Sequence, residues 1–189
     1  MRESIARIGW AWTIALLLPF AIFTLSGAQE AAEEMAPVQY VGAKKCSICH
    51  KSAKQGRQFW IWQQSKHAMA WVTLVNPEAK ALAAKLGIED PQRSEKCLRC
   101  HTTAYGVPGI QKATTLKAED GVGCEACHGP GSRYKTAKIM EDRALAIRNG
   151  LIVPDENVCR RCHNKQSPTY KKFVYSEFVK EIAHPVPKD

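Results

Sequence analysis

All eight cysteines of the chain fall into four motifs of the form C-x-x-C-H, at residues 46–50, 97–101, 124–128 and 159–163. A cysteine pair at this spacing is typical of half a zinc site, of a redox dithiol or, where histidine follows directly, of covalent haem attachment. Zinc ribbons do not require a histidine after each pair, so its presence at all four favours haem c. The predicted attachment cysteines are Cys46, Cys49, Cys97, Cys100, Cys124, Cys127, Cys159 and Cys162.

The spacing suits this chemistry if each motif forms a helical turn. Residues three and four apart on a helix share a face, so both sulfurs and the imidazole of one motif can face one porphyrin. The sulfurs would form thioethers with its vinyl groups, and the imidazole would bind the iron. The predicted proximal ligands are His50, His101, His128 and His163. No thiol is left for a disulfide.

Sixth ligands for the four irons are in short supply. Only two further histidines remain, His67 and His184, and we expect both to bind iron. The other two irons would take Met69, Met140 or Lys138, or keep an open position. The choice matters because a Met/His pair raises the reduction potential of a haem, and an open position admits a small ligand.

The elements that must position these residues are predicted to be helices joined by loops. Strand signals are weak, with one short extended stretch at 112–116, so the fold class is mainly α, a loop-rich multihaem protein. The predicted helices cover 51–71, 77–86 with a stop at Gly87, 132–149, a start at Pro154, and one helix in the last segment that ends before Pro185.

The first 28 residues have the pattern of a signal peptide. Arg2 and Arg7 precede an uncharged, mostly apolar run at 8–25, and small residues follow. An uncleaved membrane anchor is the alternative, since the run is near the lower limit for spanning a bilayer. Residues 29–39 are predicted to be a flexible leader, and 40–189 the haem domain. Both alternatives place that domain in the periplasm.

The length bounds the architecture. Four haems in the mature chain leave about 40 residues for each, too few to build a separate hydrophobic core. We therefore expect one domain in which four covalently bound haems form the core.

The chain is basic, with 27 Lys and Arg against 18 Asp and Glu and a formal net charge of +9. Haem propionates would compensate much of this charge, and no aromatic-rich basic patch indicates nucleic acid as a partner. The remaining basic surface would steer docking to acidic redox proteins.

The order of motifs resembles the cytochrome c-554 family, tetrahaem c-type cytochromes of hydroxylamine oxidation. The resemblance runs from about Tyr40 to His184 and is carried by "KKCSICHK", an S-x-HA segment, "GVGCEACHGPG" and the last C-x-x-C-H. It implies a mainly helical fold with closely packed haem pairs. It also implies that His67 is distal to the haem of His128, and that His184 is distal to the haem of His163. The haem of His101 would be five-coordinate, with an open face for a small gaseous ligand.

The chain departs from the family at the first haem. The family carries a distal histidine about ten residues after the start of "CHGPG", where this chain reads "YKTAKIMED". Our prediction is Met140 as the sixth ligand of the iron bound by His50, with Lys138 or an open position as alternatives.

These observations favour an electron carrier over an enzyme. We predict transfer of single electrons between redox partner proteins, a membrane-associated partner being one option, with no catalytic side chain. The alternative is reduction of nitric oxide, a small nitrogen oxide, at an open iron on His101. A polymeric haem wire and a sensor are weaker alternatives, because no spare histidine and no signalling segment support them.

Overall fold

The computed structural model describes residues 37–107 and 111–186. The predicted signal peptide and most of the predicted leader lie outside these residues. The helices within the described part are α1 (Ala43–His50), α2 (Gln58–Gln63), α3 (Pro77–Lys85), α4 (Glu95–His101), α5 (Cys124–His128), α6 (Ala137–Met140), α7 (Arg143–Arg148), α8 (Glu156–Arg160) and α9 (Tyr175–Phe178). Short 3₁₀ segments occupy Val72–Val75, Ala118–Asp120, Gly131–Arg133 and Val179–Glu181. The prediction of a mainly α, loop-rich chain is confirmed.

Strand structure in the described residues is confined to one pair. Strands β1 (Gln39–Tyr40) and β2 (Gln111–Lys112) run parallel, with Gln39 opposite Gln111 and Tyr40 opposite Lys112. The predicted extended stretch at 112–116 is therefore shorter and begins one residue earlier. The pair ties the start of the described chain to the loop before the third motif.

Helix α3 starts at its predicted residue, and helix α8 starts at Glu156, two residues after the predicted start at Pro154. Helix α3 begins at Pro77, a residue favoured at the first helical position, and the chain leaves it through Gly87 at φ +67°. Helix α8 follows Asp155, whose carboxylate accepts a hydrogen bond from the backbone N–H of Val158 at 3.2 Å. These short capped turns leave the functional residues at or near helix ends.

The long helix predicted over 51–71 is wrong. Gly56 and Arg57 both have positive φ, 98° and 56°, so the chain turns sharply before α2 begins. Helix α2 then ends at Gln63, and the Ser65 hydroxyl donates to the carbonyl of Trp62 at 2.6 Å. Such a bond competes with the next helical turn.

The single helix predicted over 132–149 is also wrong. Helix α6 ends at Met140, and the extended residue Asp142 starts a new helix by accepting from the N–H of Leu145 at 2.8 Å. The last segment holds α9 and the following 3₁₀ segment, and this helical stretch does end before Pro185.

The protein atoms alone form a small core. Helix α1 packs against α2 and α5, α3 packs against the 3₁₀ segment Val72–Val75, and α6 packs against α7. Among the described residues, no large side chain is fully buried. The buried apolar residues are Val41, Ala43, Leu74, Ala83, Ile88, Leu98, Tyr134, Ala146 and Val158. So small a core is expected of a chain whose interior is completed by a bulky bound group.

None of the helices in residues 37–107 and 111–186 combines the length and the apolar character needed to cross a bilayer.

Candidate haem-binding site

The C-x-x-C-H motifs lie on helical turns. The first three end α1, α4 and α5 at their histidines, His50, His101 and His128. The fourth begins in α8, and the N–H of His163 bonds to the carbonyl of Cys159 at 3.0 Å, the i to i+4 spacing of an α-turn. Each turn therefore places two thiols and one imidazole on neighbouring positions, as the spacing predicts.

The first and third motifs meet at their leading cysteines. Cys46 and Cys124 are hydrogen-bonded to one another, which raises the pKa of the Cys46 thiol and lowers that of Cys124. The contact follows from the packing of α1 on α5. Two attachment turns so close together would hold their bound groups near one another.

The second and fourth motifs meet in the same manner. A hydrogen bond from Cys162 lowers the pKa of the Cys100 thiol to about 6. The third motif is also close to the fourth, because the charge of Cys159 contributes, after burial, to raising the pKa of Cys127 to about 11. The four attachment turns thus form one continuous cluster.

Two of the predicted proximal histidines have their Nδ1 atoms engaged by backbone carbonyls. His101 Nδ1 lies 2.7 Å from the Ala70 oxygen, and His128 Nδ1 lies 3.0 Å from the Ile152 oxygen. A carbonyl accepts from N–H, so each ring carries its proton on Nδ1 and leaves Nε2 with a free lone pair. Metal-binding histidines are oriented in this way.

Burial keeps four of the predicted iron ligands neutral. Desolvation is the main cause that lowers the pKa of His50, His67, His128 and His163 from the ordinary value of 6.5. A neutral imidazole is the form that binds a metal, so the environment of these rings suits ligation.

The structure brings the two remaining histidines to proximal ones. The ring centres of His67 and His163 are 5.9 Å apart, and those of His184 and His128 are 5.8 Å apart. Two imidazoles on one metal, with bonds of about 2 Å each, place their ring centres about 6 Å apart. Both separations therefore fit one iron between two rings.

This pairing is the reverse of the one that the family resemblance implies. The ring of His67 lies against that of His163, and the ring of His184 lies against that of His128. Which iron each of the two would bind stays a prediction. The segment of His67 is held in place by residues just before the third motif. The His67 carbonyl accepts from the N–H of Val122 at 2.9 Å, and the Trp62 indole donates to the Val122 carbonyl at 2.8 Å.

His184 is positioned by the chain around the first motif. The Gln58 amide donates to the carbonyl of Pro185 at 3.0 Å, and Gln58 itself is buried beside His50. The backbone of Gly56 also approaches the Pro185 ring closely. The C-terminal segment is thereby fixed against the first and third motifs.

Two ligand assignments stay predictions. Met140 ends helix α6 and is half-buried, and Lys138 beside it is exposed. The contacts that the structure gives for His50 are with Gln58 and His184. The open distal face expected at His101 likewise stays a prediction.

Sequence reasoning missed Glu125, which lies between the two cysteines of the third motif. Its carboxylate is buried and accepts from the backbone N–H groups of Val41, at 2.8 and 3.0 Å, of Gly42 at 2.7 Å and of Gly131 at 2.6 Å. The signal was available, since no other motif holds a carboxylate between its cysteines. Glu125 connects the start of α1 to the turn after α5.

The donor set fits haem. Thiol pairs stand beside histidines, two of which are oriented through Nδ1, and the described residues bury few large side chains in one another. Within the described ranges, no three side chains of His, Cys, Asp or Glu converge into a group that could hold a bare metal ion.

Comparison with known proteins agrees with this chemistry. The family described as cytochrome c554 and c-prime matches residues 45–129, which include the first three motifs. Cytochrome c-554 of Nitrosomonas europaea is 32% identical over 185 residues, which cover 88% of this chain and 75% of that protein. No solved structure gives a significant match.

The chain is a c-type cytochrome by its motifs and their setting, and it belongs to the cytochrome c-554 family. Membership implies covalently bound haem c and a role in electron transport. The comparisons give no support to the nitric oxide reductase alternative.

Proposed function

We propose that this protein is a periplasmic cytochrome with four covalently bound haems that passes single electrons between redox partner proteins. The observation that carries the proposal is the contact between attachment turns of different motifs, Cys46 with Cys124 and Cys100 with Cys162. Groups anchored at touching turns lie close enough for electrons to move between them without leaving the protein.

The cofactor supplies an iron that takes up and releases one electron. The chain contributes three things: cysteine pairs that fix position, imidazoles that bind the metal, and burial that excludes water. His67 with His163 would bind one iron, and His184 with His128 would bind another. Two neutral imidazoles on one iron leave no position for a substrate, which favours carrying electrons over catalysis at those sites.

The remaining two sites are proposed to differ. His50 would share its iron with Met140, and His101 would leave one face of its iron open. The Ala70 carbonyl accepts a hydrogen bond from Nδ1 of His101 and so fixes the orientation of this ring. Unequal ligands would separate the four reduction potentials, which gives electron flow a direction.

The test is stopped-flow reoxidation of the fully reduced protein, combined with turnover assays. We expect rapid single-electron reoxidation by other c-type cytochromes, and no catalytic consumption of nitrite, hydroxylamine or nitric oxide. Turnover of one of these compounds that carbon monoxide abolishes would assign an enzymatic role to the His101 site instead.

A further inference from the structure

The first motif lies in a stretch of sequence that is rich in Lys and Arg and contains no carboxylate. Residues 41–77 contain no Asp or Glu, yet they hold six cationic side chains, all exposed. These are Lys44, Lys45, Lys51, Lys54, Arg57 and Lys66. The other three motifs each follow carboxylates closely: Glu95 precedes the second, Asp120 the third, and Asp155 the fourth. The basic stretch is thus peculiar to the first motif.

The first motif also lies nearest the surface. Cys49 is exposed, whereas the other seven cysteines are half-buried. Ile48, directly before it, is 70% exposed, a high value for a large apolar side chain. Ile48 stands three residues after Lys45 on α1, so these two side chains are neighbours on the helix surface, and Lys51 directly follows the helix. An apolar centre with a charged rim is the usual anatomy of a protein interface.

Little in the described chain neutralises this surface. Asp120 lies near Lys44. The ion pairs found in the described residues, Arg93 with Asp90 and Arg160 with Glu156, belong to other segments. Lys45 and Lys54 are exposed and take no part in the ion pairs of the described residues. A concentration of one sign of charge accelerates association with a molecule of the opposite sign.

We propose that this basic face, defined as Lys45, Ile48, Lys51 and Lys54 around Cys49, is where an acidic redox protein docks and exchanges one electron with the group anchored at the first motif. The inference rests on the proposed electron-carrier function and adds its partner. A protein fits better than a membrane. Helix α1 is eight residues long, and Ile48 is its exposed large apolar residue. A bilayer surface binds a wide apolar stripe.

The test compares two double variants with equal change in charge. Lys45→Glu/Lys54→Glu alters the basic face, and Lys80→Glu/Lys85→Glu alters exposed positions on α3. The haem-loaded proteins are reduced and mixed with hexacyanoferrate(III), an anion that takes one electron and becomes hexacyanoferrate(II). Poly-L-glutamate serves as an acidic competitor, and the cation tris(phenanthroline)cobalt(III) serves as an acceptor of opposite charge.

We expect the Lys45/Lys54 variant to lose roughly tenfold in rate with hexacyanoferrate at low salt, and the Lys80/Lys85 variant less than about twofold. Poly-L-glutamate should slow the wild type but not the first variant. At about 1 M salt, where screening is strong, the variants should react as fast as the wild type, and poly-L-glutamate should no longer slow the wild type.

Equal losses in the two variants would overturn the proposal, since net charge alone would then explain the rates. Binding to phosphatidylserine vesicles that protects the wild type from hexacyanoferrate, with no effect of poly-L-glutamate, would also overturn it in favour of a membrane surface. The cobalt acceptor distinguishes failure of the docking proposal from failure of the proposed electron-carrier function. A carrier without this docking site still reduces it rapidly, whereas a protein that is not a carrier does not.

Discussion

At Glu125 the chain buries a carboxylate that accepts hydrogen bonds from backbone N–H groups. Those donors come from both sides, Val41 and Gly42 before α1 and Gly131 after α5. A buried carboxylate is costly unless it is well hydrogen-bonded, and here it holds the first and third attachment turns together.

Replacing Glu125 by Gln should lower the free energy of unfolding by about 2 kcal/mol or more, because the new amide N–H₂ faces donors and leaves at least one buried N–H unpaired. Chemical denaturation of the haem-loaded protein measures this. Glu141→Gln, an exposed position, is the matched control and should change little. Equal stability of the two variants would refute the assigned role of Glu125.

Replacing His67 by Ala should convert one low-spin iron to high spin, with all haems still attached, because the His163 iron loses its second imidazole. Electron paramagnetic resonance of the oxidised protein counts the two spin states. The pairing itself is tested in a Cys159→Ala/Cys162→Ala background, which lacks the fourth attachment.

In that background, His67→Ala should produce no further change, while His184→Ala should still convert one iron. If His67→Ala converts an iron there as well, the ring contact with His163 does not reflect ligation.

At this scale the C-x-x-C-H spacing alone indicates which residues would attach haem, because that chemistry needs two thiols and an imidazole on one turn. Their role as haem anchors stays a prediction. It predicts His67 and His184 as candidate ligands only through the scarcity of histidines. Which ring each one faces depends on long-range contacts, such as that of Gln58 with Pro185, that no local pattern records.

At the scale of elements, the loop before the third motif sets the position of His67. Gly121 has φ +63°, and a Cβ built on it would lie 2.6 Å from the His67 carbonyl oxygen and 2.8 Å from that of Ala68. Glycine is therefore required at position 121 for two reasons: its positive φ, and the close approach of the two segments.

Gly121→Ala should both destabilise the protein and increase the high-spin fraction, since the added Cβ would displace the backbone of the His67 segment. Gly87→Ala is the control, because Gly87 has φ +67° but nothing within 4 Å of its Cβ position. It should cost only about 1 to 2 kcal/mol of backbone strain and leave the spin states unchanged. The two measurements are thermal unfolding and electron paramagnetic resonance. Identical behaviour of both variants would contradict the account of this loop.

Helix α3 and the start of α8 are predictable because Pro77, Gly87 and Asp155 act locally on the backbone. The helices predicted over 51–71 and 132–149 fail because apolar and helix-favouring residues continue through both stretches. The breaks come from backbone turns at Gly56 and Arg57 and from the cap at Asp142, whose side-chain geometry overrides propensity.

At the scale of the whole molecule, bound haem would account both for the small protein core and for the cluster of attachment turns. The described residues bury few large apolar side chains in one another, which agrees with the proposal that bound cofactors complete the core. The prediction of a haem-filled core from chain length alone follows the same reasoning, and the number of haems in it stays a prediction.

The most direct test of the central claim is intact mass spectrometry of the protein exported to the periplasm. We predict a mass greater than that of the polypeptide by four haems, with the haem retained after denaturation because it is bound through Cys46, Cys49 and their counterparts. A colourless protein with the polypeptide mass, carrying zinc in its native state, would contradict the account.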